Sequence, residues 1–404
     1  MSTKVFHHRL RRLCAFIIGL VFLLAGIFKL LDPTGAGLVV EEYYRFLHLG
    51  FLLPTAKVMA VCLALLEALL GAAMISGVWR KGVAIGTTAL IVFFTILTLF
   101  LAIFNPTMDC GCFGEVIHLS NLQTFLKNLV LLVLAMIAFV PMKDFGEPKK
   151  RKYVAFLIAA ASITGFTIYS LKSLPLVDYT SFKPGSELVS AEGNVEEFVS
   201  TFIYEKNGQE GAFTLDKLPD STWTYVRTET VRLKEPENNG EPPVLTFADS
   251  TGNYKDEIAT KGNVLVLSVP EPGKMKGEEW TRMAEVAEGA TTAGFSPLLL
   301  ISGTKTRLDN NATMVPEVKE RLAPHIYFSD KKTLLAMNRS NGGATWFNDG
   351  ELIRKFHSSD LPSDEALLKM TGDDPTETML QTSTKGRLRF QGFLLYTIAL
   401  LLLI

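Results

Sequence analysis

A helical membrane bundle joined to a water-facing α/β domain is the fold class this sequence predicts. Three observations lead there. Apolar residues make up 48% of the 404, and they crowd into the two ends of the chain rather than spreading evenly. Five stretches, 13–31, 57–78, 83–104, 121–141 and 153–171, come close to the roughly 20 apolar residues that cross a bilayer. Between 263 and 370, short β-branched runs alternate with helix-period segments.

The first stretch follows Arg9, Arg11 and Arg12, as a secretory leader would. It is too long for one, and Lys29-Leu30-Leu31-Asp32-Pro33 is not a small-residue cleavage site, so a retained helix is expected. Segment 32–56 carries Tyr43, Tyr44, Arg45 and His48 and reads as amphipathic and interfacial. Basic residues fix an expected orientation. Lys4, Arg9, Arg11 and Arg12, then Arg80 and Lys81, then Lys143, Lys149, Lys150, Arg151 and Lys152 fall on one side if the helices alternate. The positive-inside rule makes that side cytoplasmic, so 32–56, the loop 105–120 and 172–389 face outward. The lipid bilayer is thereby an expected partner. A formal net charge of −1 offers no field for nucleic acid. The last apolar run, 390–404, would cover about 22 Å as a helix against a roughly 30 Å hydrocarbon core. It is read as a possible short C-terminal membrane anchor, flanked by Lys385, Arg387 and Arg389.

The soluble region divides in two. Residues 175–260 read as a mostly β extension, with strand-like runs at 197–205, 211–215, 224–233 and 244–248 and a hairpin signal at Asn207-Gly208. Residues 261–375 alternate strands (264–269, 298–301, 326–328) with helices (277–292, 315–322, 332–338). A hairpin, 344–347 with 351–356, and a helix, 363–370, follow. That order fits a thioredoxin-like layer. Its first core strand is followed by Pro270-Glu271-Pro272-Gly273-Lys274-Met275-Lys276, and no cysteine occurs after Cys112. The domain therefore lacks a CxxC pair and is expected to bind or dock rather than exchange thiols.

The chemistry concentrates in Asp109-Cys110-Gly111-Cys112-Phe113-Gly114. On the outward side a disulfide can persist. Ser120 and Gln123 form a capping-box pattern at the next helix. Its positive end, together with Lys127, is expected to favour the thiolate. Cys110 and Cys112 could close on each other, exchange with a partner, or form a fixed structural bridge. A metal set of Asp109, Cys110, Cys112 and His118 has no standard spacing, and none is expected. Cys62, some 7–8 Å below the outer end of its helix, is a candidate third thiol. Cys14, at the other end of the membrane, is a packing residue. Glu67, near the middle of a span, is a functional polar site by default. Lys29 either snorkels outward or pairs with it. No cofactor fingerprint is present, and a membrane quinone is the acceptor class such a site admits.

Segments 1–145 and 153–172 account for the bundle. Asp32-Pro33-Thr34-Gly35, Glu42-Tyr43-Tyr44 and Phe104–Gly114 make 1–145 similar to the DoxX/MauE group of redox-associated membrane proteins, nearest a Bacteroidetes branch of DoxX proteins. The resemblance implies a four-helix unit in the bacterial inner membrane, with a periplasmic protein as partner, since MauE-like members are associated with disulfide formation in, or maturation of, periplasmic partners. It reaches more loosely into Asp178–Phe182 and Arg339-Ser340-Asn341-Gly342-Gly343. There relatives resemble the thioredoxin cis-proline loop, whereas this chain has Gly342. Thiol–disulfide electron transfer is the first functional expectation. A non-catalytic scaffold with a structural Cys110–Cys112 bridge is the second.

Overall fold

The computed structural model describes residues 3–106, 111–115, 119–140, 148–189, 198–206, 209–214, 218–220, 222–232 and 243–404. They form two compact units, Met1–Val177 with Leu388–Ile404, and Asp178–Arg387.

In the first unit each expected span is a helix: α1 (Thr3–Leu31), α3 (Ala56–Ser76), α4 (Arg80–Phe104), α5 (Asn121–Phe139) and α6 (Lys150–Lys172). A fourteen-residue helix, α2 (Pro33–Phe46), follows α1 directly. Asp32 makes that turn. Its carboxylate accepts from Gly35 N at 2.9 Å, and Pro33 occupies the first helical position, where a missing N–H costs nothing. Segment 32–56 is thus more than an interfacial amphipath, because Tyr44 is buried. A short strand, β1 (Cys112–Glu115), interrupts the helices.

In lipid the helices gain little from hydrophobic burial and depend on close packing instead. Ala60, Ala64, Ala68 and Ala72 repeat every fourth residue of α3, and all are buried. Ala64, Ala68 and Ala72 pack with Leu23 and Ile27 of α1. Ile18 and Phe22 of α1 pack with Ile91 of α4 and Leu131 and Ala135 of α5.

Among its described residues the second unit contains two sheets. Strands β2 (Phe198–Lys206), β3 (Gln209–Thr214) and β4 (Thr224–Arg232) pair antiparallel in the order β3-β2-β4. The Asn207-Gly208 reversal lies outside the described residues, but Lys206 pairs with Gln209 as a hairpin there requires. The larger sheet follows from β5 (Asn263–Val269), α7 (Gly277–Thr292), β6 (Ser296–Ser302), α8 (Lys305–Asp309) and α9 (Pro316–Leu322). The chain continues through β7 (Ile326–Ser329), α10 (Lys331–Met337), β8 (Gly343–Asn348), β9 (Glu351–Phe356) and α11 (Asp364–Gly372). Its order is β7-β6-β5-β8-β9; β5, β6 and β7 run parallel, and β8 and β9 form an antiparallel hairpin at one edge.

Both faces of this sheet are covered, which explains the uninterrupted apolar runs of β5 and β6. Leu265, Leu267 and Val269 pack with Trp280, Met283 and Ala287 of α7. Val264 and Val266 pack with Leu334 and Met337 of α10, and with Phe182, Leu245 and Phe247 from earlier in the chain. The expected strand at 244–248 does not form a ladder; only Ala248 makes bridges, to Tyr254 and Phe328. Local bonds take the groups a ladder would use. Phe247 N donates to Asp256 Oδ1 at 2.8 Å, and Lys255 N donates to Phe247 O at 2.9 Å.

The apolar C terminus is not a separate short segment. It ends α12 (Pro375–Leu403), a 29-residue helix that also contains Lys385, Arg387 and Arg389. Phe393 and Leu400 are buried with the first unit, and Phe393 lies 5.1 Å, ring to ring, from Phe166 of α6. With α12, six helices among the described residues are long and apolar enough to cross a membrane.

Candidate functional site

The thiol loop begins where α4 stops at Asn105, a left-handed residue with φ 41°. Asn121, at the start of α5, joins the two sides of the loop. Its amide donates to Asn105 Oδ1 and to Pro106 O, each at 3.1 Å. Asp109, Cys110 and His118 lie outside the described residues. Gly111 to Glu115 are described and show how Cys112 is held.

Gly114 N donates to Gly111 O at 3.1 Å, closing a turn with Cys112 and Phe113 at its two central positions. Both glycines are needed. Each has φ 60°, a conformation that costs any residue with a Cβ about 1–2 kcal/mol. A Cβ on Gly111 would stand 2.5 Å from Val39 of α2, and one on Gly114 would stand 3.3 Å from Phe28 O of α1. The turn is therefore pressed onto α1 and α2 with partly exposed Cys112 at its tip.

Ser120 and Gln123 form the expected capping box: Gln123 N donates to Ser120 Oγ at 3.3 Å and Ser120 N to Gln123 Oε1 at 3.0 Å. One turn further along α5, the Lys127 ammonium stands 4.9 Å from the centre of the Phe113 ring, a cation–π contact beside Cys112.

Below the turn, Lys29 has turned inward. Its Nζ lies 2.8 and 2.7 Å from the two oxygens of Glu67, with side-chain exposures of 11% and 5%. It also stands 5.8 Å from the Phe94 ring. Of the two alternatives open to Lys29, the structure shows pairing. Breaking such a buried pair from one side costs about 3–5 kcal/mol, because the other charge is left uncompensated.

A polar stripe on α5 was not expected. Asn121, Thr124 and Asn128 are all buried and share one helix face, spanning about 10 Å of depth. Asn128 Nδ2 donates to Thr98 Oγ1 at 3.2 Å and to Phe94 O at 3.3 Å. Asn121 Oδ1, Thr124 Oγ1 and the Tyr44 hydroxyl are buried without a hydrogen-bond partner among the described residues. The i, i+3, i+7 spacing was present in the sequence, hidden inside a window apolar enough to read simply as a span.

The other cysteines lie elsewhere. Cys14 is buried among Ile18, Phe22 and Ala138. Cys62 is exposed on α3, off the Ala60–Ala64–Glu67–Ala68 face.

In the second unit, the loop after β5 carries Glu271 and no cysteine. Asn341 clasps its backbone: Glu271 N donates to Asn341 Oδ1 at 2.9 Å, and Asn341 Nδ2 donates to Glu271 O at 3.1 Å. Burial works to raise the Glu271 pKa, but Lys274 and Lys331, at 2.9 and 3.3 Å, outweigh it and hold the carboxyl below the ordinary range. Beside the clasp lies a pocket of about 250 Å³ lined by Met275, Glu279, Arg282, Gly342, Ser358 and Leu361, among others.

Comparison with known families agrees with this division. Residues 8–141 match the model of the methylamine utilisation protein MauE family, from within α1 to the end of α5. Residues 198–235, covering the small antiparallel sheet, match a domain of unknown function, DUF8463. No curated protein and no solved structure matches the chain. The DoxX/MauE likeness thus holds for the N-terminal helices, which carry the thiol turn.

Proposed function

We propose that this multi-pass membrane protein transfers electrons through Cys110 and Cys112. In each cycle the Cys110–Cys112 disulfide accepts two electrons and two protons from a periplasmic protein dithiol, which becomes a disulfide. The resulting thiols return the electrons and protons to a membrane quinone, which leaves as hydroquinone. The observation that carries this reading is the mounting of Cys112 at the tip of a turn clamped by α1 and α2, with the Lys127 cation on the ring of the adjacent Phe113. Positive charge near a thiol favours the reactive thiolate. Lys29–Glu67 is the nearby intramembrane polar site. An exposed Cys62 is the remaining candidate for a third thiol.

The basic residues before α1, between α3 and α4 and before α6 support a cytoplasmic N terminus in an inner membrane, with the thiol turn and the Asp178–Arg387 unit outside. Three parallel strands, an antiparallel edge hairpin and helices on both faces support a thioredoxin-like outer domain. With Asn341 closing over Glu271 and no cysteine present, its part is to recruit the partner. The MauE match admits a role in maturing a methylamine-utilisation enzyme.

A second reading has its own support. A turn packed this tightly on two helices also suits a permanent bridge in a scaffold protein. Differential alkylation in intact cells, combined with mixed-disulfide trapping in Cys110→Ser, separates the two. Partial oxidation and a covalent adduct on Cys112 are expected. Permanent oxidation would establish the scaffold, provided that Cys110→Ser/Cys112→Ser also assembles normally and leaves the cell's disulfide profile unchanged.

A further inference from the structure

The pocket beside the Asn341–Glu271 clasp owes its space to a missing side chain. A Cβ on Gly342 would stand 3.2 Å from Met275 Cε and 3.8 Å from Ser358 Cβ, so glycine keeps the gap between them open. Buried Met275 and half-buried Leu361 give the pocket an apolar wall. Its volume of about 250 Å³ falls below the roughly 300–1,000 Å³ of sites for whole small molecules and suits a smaller group.

Two opposite charges line the same pocket. Glu279 and Arg282 lie three residues apart on α7, a spacing at which such side chains ordinarily pair. Here the backbone engages each of them instead. Lys276 N donates to Glu279 Oε2 at 2.7 Å, and Arg282 Nη1 donates to Ser358 O at 3.3 Å. Among the described residues Glu279 Oε1, the rest of the Arg282 guanidinium and Ser358 Oγ make no hydrogen bond. The two charges cancel, so a bare anion gains little. A ligand that brings a carboxylate, a donor and an apolar group together meets a partner for each.

We propose that this pocket takes the C-terminal residue of a polypeptide whose last side chain is apolar. A chain end presents all three groups side by side: its carboxylate for the Arg282 fork, its last amide N–H for Glu279 Oε1, and its side chain for Met275 and Leu361. Methionine suits such a wall because its thioether adapts to differing shapes. An internal segment of chain lacks the carboxylate, and a free amino acid lacks the amide. The proposal rests on the recruiting role given above to this unit, and it names what is recruited.

The test uses the full chain in neutral detergent, titrated by ligand-detected NMR. The probe is acetyl-Ala-Ala-Leu with a free carboxylate; the comparators are the same peptide as its C-terminal amide, leucine, and acetate. The free acid should bind at least roughly tenfold more tightly than each comparator, since a hydrogen bond to a charged group is worth about that factor. Arg282→Gln, at an exposed position, should weaken the free acid by a similar factor and abolish its advantage over the amide. Leu361→Ala should weaken acid and amide alike, and Arg307→Gln, an exposed arginine of α8, should bind as the parent does. No binding of the free acid, equal binding of the amide, leucine or acetate, or undiminished binding in Arg282→Gln would overturn the proposal. The readout involves neither thiol, so a failed pocket and a failed electron transfer are separate results.

Discussion

Asn338 in the second unit and Asn121 in the bundle are both buried asparagines at the edge of a loop, yet their surroundings serve them differently. Asn338 Nδ2 donates to Ala344 O, Thr345 Oγ1 and Phe356 O, and its Oδ1 accepts from Ser340 N. Asn121 donates twice but leaves Oδ1 unmet among the described residues, with Thr124 Oγ1 in the same condition one turn along. A buried network with every member satisfied rigidifies a fold, whereas an unserved polar atom needs another explanation. By that criterion the loop at Asn338 is built for rigidity, and the helix face under the thiol turn is left with polar atoms unserved among the described residues.

The carboxylates show the same contrast. Glu271 is near water and has two lysines, while Glu67, inside the membrane, has one. The strongest test of the difference is Glu67→Ala, expected to cost about 3–5 kcal/mol by stranding the Lys29 charge. The double variant Lys29→Met/Glu67→Met should recover most of that loss. Thermal melting in detergent checks both; a Glu67→Ala variant as stable as the parent would show that the pair does not matter to stability.

Asn338→Ala should cost about 2–3 kcal/mol in chemical denaturation, because it leaves backbone carbonyls buried and unserved. Gly111→Ala should destabilise by about 1–2 kcal/mol from its left-handed backbone alone, more if Val39 cannot move, and should change the alkylation rate of Cys112. Thr124→Val probes the other side of the comparison. Removing an unpartnered hydroxyl should leave stability within about 0.5 kcal/mol of the parent while slowing thiol exchange. A large loss of stability there would mean the hydroxyl has a structural partner after all.

The smallest expected effect concerns pH. Because the Glu271 pKa is depressed in the folded protein, its contribution is complete well above the ordinary glutamate value of 4.5 and is lost as pH falls below it. Glu271→Gln should flatten that part of the melting-temperature profile. An unchanged acid limb would remove Glu271 from the account.

Much of this architecture could be read from residue order, for identifiable reasons. Spans announce themselves by apolar length, the Ser120–Gln123 cap by its spacing, and the α/β layer by runs too apolar for a one-faced sheet. Lys29 and Glu67 were recognisable as a possible pair because isolated charges in lipid are costly. What escaped was whatever depends on facing rather than composition. Tyr44 reads as interfacial until α2 turns it inward. Asn121, Thr124 and Asn128 vanish into the mean hydropathy of their helix. The long α12 was missed because Lys385 and Arg387 break the apolar run without breaking backbone hydrogen bonds. At 244–248, side-chain and turn bonds displaced the ladder that β-propensity suggested.

Lys29 holds two posts at once. Its backbone is the floor under Gly114, 3.4 Å from where a Cβ would stand, and its ammonium closes on Glu67. A shift of the α1 backbone at this level would therefore move the surface turn and the buried ion pair together. A designer seeking to retune the thiols cannot alter that floor without disturbing the charge below.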